Sequence, residues 1–158
     1  DSGMYLGNQI NLLFSNYAER GDRYAGVGGD TMEGFANLQA ARPGALEFFK
    51  QAVATPGVRI VYSTDANAGS HGANTDELVA YVLEGGQDPI DAVSSATSLA
   101  AESLGMEDRI GSIATGFEAD IIALDGDPRT EPAALGRVVF VMRGGRVYRN
   151  DAPRVPGR

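Results

Sequence analysis

Gly57-Val58-Arg59-Ile60-Val61-Tyr62-Ser63-Thr64-Asp65-Ala66 is the stretch on which the fold turns. Residues 58–62 are rich in β-branched and aromatic side chains and read as a short buried strand that ends in three polar residues, Ser63, Thr64 and Asp65. Just upstream, Leu46, Phe49 and Val53 recur at helical spacing behind Pro43, which suits the first turn of a helix, and Pro56-Gly57 stops that helix. A helix running into an apolar strand with a polar end is an α/β unit, and in such folds chemistry gathers at the carboxyl ends of the strands.

Downstream, a loop of Asn, Ala, Gly and Ser leads to Gly72, and Asn74 with Glu77 reads as a capping pair for a helix reaching Glu84 and closed by Gly85-Gly86. Asp88-Pro89 opens another helix, Asp91 adds charge favourable to its dipole, and residues 96–101 are small enough for close packing before Gly105 ends the run. The remainder reads as β: a turn at Thr115-Gly116, a strand over 119–124, and a hairpin pairing 138–143 with 146–149 across Gly144-Gly145. The tail 151–158 holds two prolines and is expected to fray.

Upstream of Pro43 the pattern is weaker. Tyr5-Leu6 and residues 10–14 are apolar enough for one helix or a pair of strands, and Gly21, Gly26, Gly28, Gly29 and Gly34 punctuate the residues between there and Pro43. Gly26-Val27-Gly28-Gly29 lacks the Lys-Ser/Thr and the preceding strand of a phosphate cradle, so a loop is the better reading. The chain opens at Asp1 without an initiating Met, which leads to the expectation of a processed or truncated piece.

Composition excludes some classes of function. A formal net charge of -8, with a single lysine (Lys50), argues against a nucleic-acid partner. No run approaches the roughly 18 apolar residues of a membrane span, and no signal peptide is visible. With no cysteine there is neither a disulfide framework nor a zinc–thiolate site, and the compartment stays open between cytoplasmic and exported.

Two residues stand out chemically. A carboxylate at the mouth of a buried strand, Asp65, can bind a divalent ion through oxygen and can accept the proton of an attacking water; it can equally cap the adjoining loop. His71 is the single histidine and sits in a Gly-rich loop, where it either touches substrate or plays no chemical part.

Taken in order, these segments resemble the C-terminal part of the amidohydrolase superfamily, in its imidazolonepropionase-like and prolidase-like branches. The carriers are the strand ending Ser63-Thr64-Asp65-Ala66, then His71-Gly72-Ala73-Asn74 with Glu77-Leu78, Gly85-Gly86, Pro89, Ala96-Thr97 and Leu104-Gly105. Ile110-Gly111-Ser112-Ile113, Gly116, Ala119-Asp120-Ile121-Ile122, Asp127-Pro128 and Gly144-Gly145 continue it. The resemblance covers about residues 43–150 and, more weakly, the rest of the N-terminal stretch.

The resemblance implies an α/β fold: the last βα unit or units of a metal-dependent TIM-like barrel with its trailing helices over residues 1–108, strands of a small β-sandwich domain over 109–150, and a flexible tail over 151–158. It implies hydrolysis of an amide or related C–N bond in a small molecule by metal-activated water, with zinc the default metal. Asp65 would be both metal ligand and catalytic proton acceptor, and His71 a substrate contact. Peptide-like substrates come first, with aminohydrolase and imidazolonepropionase-type reactions as alternatives. Asp120 is expected to serve structure by bonding turn backbone.

Members of this superfamily carry a His-x-His pair, two later histidines and often a carboxylated lysine, whereas this chain has one His and one Lys. Lys50 precedes the last strand and cannot be the bridging lysine, and a full barrel needs about 250 residues. One ligand of a multi-ligand site is therefore expected here, in a piece that pairs with a missing N-terminal part of the barrel or forms an oligomer to cover unpaired edges. The alternatives are a non-catalytic scaffold or binding domain derived from the same fold, and an unrelated small α/β binding module.

Overall fold

The computed structural model describes residues 3–15, 31–66 and 70–151. The glycine run at 26–29, part of the loop after Asp65 (67–69) and the tail beyond Asp151 lie outside the described residues.

After a helical turn over 12–15 comes the long helix α1, Met32–Ala54. It does not start at Pro43 as the sequence pattern suggests. Thr31 is its N-cap, with the side-chain hydroxyl accepting the Gly34 N–H at 3.0 Å, and Glu33 places negative charge in the first turn. These signals start the helix early, and Pro43 is carried inside it at the loss of one backbone hydrogen bond. Phe35, Phe49 and Ala52 form its buried face.

Residues 58–62, expected as a strand, are extended around one parallel bridge, Leu6 with Ile60. The Leu6 N–H donates to the Arg59 carbonyl at 2.8 Å, and the Val61 N–H donates to the Leu6 carbonyl at 2.9 Å. Beyond the bridge, the Tyr62 N–H donates to the Ser95 carbonyl of a helix at 3.0 Å instead of to another strand. A ladder needs neighbours, and among the described residues only Leu6 supplies one. The parallel direction and the connection through α1 make a βαβ unit, so the carboxyl ends of both extended segments, near Gln9 and Ser63, lie together.

Three shorter helices come next: α2 (Asn74–Leu83), α3 (Pro89–Ser95) and α4 (Ser98–Ser103). Asp88 caps α3 as expected, accepting the Ile90 N–H at 2.8 Å. The core joins Ile10, Phe49, Ile60, Leu78, Tyr81 and Ala92. Phe49 and Tyr81 stack with ring centroids 4.3 Å apart, and Gly85 lets them do so, because a Cβ there would collide with the Phe49 ring.

The C-terminal part is an antiparallel sheet in the order β1 (Ile121–Leu124), β2 (Val138–Arg143), β3 (Arg146–Asn150). Gly144 and Gly145 turn β2 into β3 with φ of 55° and 77°, the left-handed pair that a tight two-residue hairpin requires. A 3-10 turn, Pro132–Gly136, packs against α2 and delivers Leu135 into the cluster that holds Ile60, so this part shares the main core.

Candidate active site

Asp65 ends the extended segment that begins beside Leu6, and it does so with a φ of 45°. No other non-glycine among the described residues has a positive φ. Asp tolerates this left-handed geometry better than most residues, yet the geometry still costs energy, and such outliers concentrate where a side chain must be delivered in one direction. Asp65 is exposed, so its carboxylate is open to a ligand.

Each of the three residues before Asp65 is held by α2. The Tyr62 hydroxyl donates to the Asn74 carbonyl. The Tyr81 hydroxyl donates to the carbonyls of Asn8 and, at 3.4 Å, Ser63. The Asn74 amide donates to the Thr64 hydroxyl oxygen at 3.4 Å. From the neighbouring segment, the Gln9 side chain donates to the Ser63 hydroxyl oxygen at 2.7 Å. Burial pushes the phenols of Tyr62 and Tyr81 well above their ordinary range, with the nearby Glu77 carboxylate adding to the effect, so both remain hydrogen-bond donors.

Asn74 and Glu77, expected as capping partners of their own helix, do other work. The N-cap of α2 is Ala73, which makes no side-chain capping bond. Glu77 is fully buried. One of its oxygens accepts the Ile10 N–H at 2.5 Å and the other the Leu12 N–H at 2.5 Å, while the Asn11 N–H reaches both at 3.2 and 3.0 Å. It therefore satisfies backbone donors at the entry to the helical turn over 12–15. Burial raises its pKa, and the three backbone donors and Arg42 oppose that rise.

His71 lies exposed in the turn at 70–73, closed by the Ala73 N–H donating to the Ser70 carbonyl at 3.1 Å. Asn74 links this turn to the Asp65 segment: its side-chain oxygen accepts the Gly72 N–H at 3.2 Å while its amide bonds Thr64. The two residues singled out for chemistry are thus each one position away from an anchor of Asn74. Asp120 is elsewhere, accepting the Gly144 N–H of the hairpin turn at 2.7 Å, as its expected structural role demands.

Gln9 and Tyr81 drew no notice in the sequence. Asn74, Glu77, Leu78 and Tyr81 have the spacing i, i+3, i+4, i+7 of a single helix face, and that period was the available signal for Tyr81. Gln9 carries no comparable sign, because its role depends on a parallel neighbour distant in sequence.

Among the described residues, no three His, Cys, Asp or Glu side chains gather closely enough to hold a metal ion. The exposed Asp65 carboxylate offers oxygen of the kind a divalent ion accepts as a ligand.

A family model described as the amidohydrolase family matches residues 41–148. The ochratoxinase of Aspergillus niger is 34% identical over 124 residues, which is 74% of this chain and 25% of that protein. A solved Xaa-Pro dipeptidase with methionine bound in its active site is 30% identical and superposes with a TM-score of 0.71, over 89% of this chain and 34% of its own. A prolidase solved with N-methylphosphonate-L-proline is 25% identical with a TM-score of 0.76, over 94% of this chain and 35% of its own. The chain thus spans about a quarter to a third of the length of these relatives. The ordered motifs, the parallel βαβ unit ending in Asp65 and the match over residues 41–148 lead to one conclusion: this chain belongs to the amidohydrolase family.

Proposed function

We propose that this chain forms the last βα part of a TIM-like barrel together with strands of a small β-sandwich domain, in a metal-dependent hydrolase of amide or related C–N bonds. The carrying observation is Asp65: an exposed carboxylate, set by a left-handed backbone at the carboxyl end of a parallel segment. Small peptide-like or N-acyl substrates are favoured by the likeness to a dipeptidase, a prolidase and an ochratoxinase.

A divalent metal, zinc by family expectation, would supply Lewis-acid activation of water and carbonyl. Asp65 would provide one oxygen ligand, the other ligands coming from outside the described residues. Its carboxylate would take the proton of the water that attacks the carbonyl carbon and pass that proton to the departing nitrogen as the C–N bond breaks. His71, exposed on the neighbouring turn, would contact substrate.

Asp65→Asn in the intact enzyme tests this reading. The shape is kept and the basic function lost, so turnover of an Xaa-Pro dipeptide or an N-acyl amino acid is expected to fall by about 10²–10⁴, or roughly 3–5 kcal/mol of barrier. Near-normal turnover at normal metal occupancy would reduce Asp65 to a loop cap and withdraw its catalytic role.

A further inference from the structure

We propose that Asn74 is a positioning residue that holds the Asp65 segment and the His71 turn in one frame. This rests on the proposed roles of Asp65 as ligand and base and of His71 as a substrate contact. The primary amide of Asn has a donor at one end and an acceptor at the other, and here each end has its own target. The Nδ2 donates to the Thr64 hydroxyl oxygen, next to Asp65, and the Oδ1 accepts the Gly72 N–H, next to His71. The Asn74 backbone carbonyl takes a third contact, from the Tyr62 hydroxyl.

The helix that carries Asn74 is itself fixed. Glu77 ties α2 to the backbone of residues 10–12, and Tyr81 ties it to Asn8 and Ser63. Asn74 therefore acts from a rigid base on two segments that are otherwise short and partly exposed. Asp65 holds a left-handed φ, which extended backbone would relieve if the residues before it were free to turn. The bond to Thr64, whose hydroxyl oxygen also accepts the Ala66 N–H at 3.3 Å, brackets that bend from both sides. A side chain acting in this way touches no reacting atom, and its loss misdirects the groups that do.

The experiment uses the intact enzyme, with Ala-Pro as substrate, zinc content measured for every sample, and amide hydrogen exchange monitored by mass spectrometry. Asn74→Ala is expected to lower kcat about 10–100-fold with zinc content unchanged. Exchange should rise over residues 62–66 and not in the hairpin at 138–150. Thr64→Val reaches the same bond from the other side and should reproduce both effects, and the double variant should be no worse than the worse single one. Wild-type kcat and wild-type exchange in Asn74→Ala would overturn the proposal. So would full multiplication of the two effects in the double variant, or a loss of thermal stability with no local rise in exchange. Asp65→Asn is run beside them. If that variant keeps its turnover, the catalytic reading of Asp65 fails, while the exchange data still decide whether Asn74 frames the segment.

Discussion

Asp65 and Asp120 each flank an extended segment, and their surroundings differ. Both are exposed, but the Asp120 carboxylate accepts the Gly144 N–H of the hairpin turn, whereas Asp65 ends a segment clamped by α2. Asp120→Asn keeps an acceptor and loses its charge, so about 1 kcal/mol of stability should go, with turnover within a few-fold of wild type, the reverse of Asp65→Asn. Thermal melting and steady-state kinetics on both variants check the contrast. Glu77 gives a sharper case. Both of its oxygens accept backbone N–H groups at 2.5 Å, so the amide of Glu77→Gln must aim N–H at N–H on one side. A buried donor is then left unpaired, and the expected loss is about 1–3 kcal/mol in denaturant unfolding. Unchanged stability would mean that the contact to residues 10–12 carries no weight. Sequence spacing placed Glu77 in a helical first turn, but its partners lie across the fold, where a capping rule confined to neighbouring residues cannot reach.

At the scale of elements, local chemistry explains what was legible. Gly144-Gly145 supplies the left-handed pair that a hairpin turn needs, and Asp88-Pro89 supplies both a cap and a first-turn proline; both features stand where the pattern put them. The first half of α1 was hidden because Pro43 is itself a start signal, and Thr31 is a weaker one lying in glycine-punctuated sequence. Residues 58–62 are extended as read, yet pairing is a property of two segments, and among the described residues the Leu6 bridge alone supplies it. The contacts between α2 and these segments are testable through pH. Tyr62 and Tyr81 have folded-state pKa values raised above the phenol's unfolded value of about 10. A raised value means that the folded state holds the proton more tightly, so this stabilisation is complete below about pH 10 and is lost as pH climbs through the folded values. Tyr62 and Tyr81 should ionise only together with alkaline unfolding, as read by ultraviolet phenolate absorbance. Free titration of both in the native state would contradict the packing of α2 on residues 8 and 62–64.

For the molecule as a whole, the proposed ligand Asp65 ends one of two extended segments joined by a single parallel bridge, and among the described residues no group of three potential ligands is found. A catalytic zinc takes three protein ligands plus water, and each missing donor removes much of the binding free energy. These 158 residues on their own are therefore expected to bind zinc no tighter than about micromolar and to hydrolyse neither amides nor esters. The same geometry leaves backbone N–H and C=O groups on the edges of the Leu6–Ile60 pair without ladder partners among the described residues, and such edges seek another chain. Association is expected too, with copies of itself or with the remainder of a barrel supplied in trans. Equilibrium dialysis with zinc, a hydrolysis screen and size-exclusion chromatography examine these points separately. Tight stoichiometric zinc with turnover would mean that this chain builds a site of its own, and the one-ligand reading of Asp65 would have to be given up. A monodisperse monomer that is inactive and free of zinc would leave Asp65 in place and remove the argument from unpaired edges, since a lone βαβ unit would then have to shield them within its own fold.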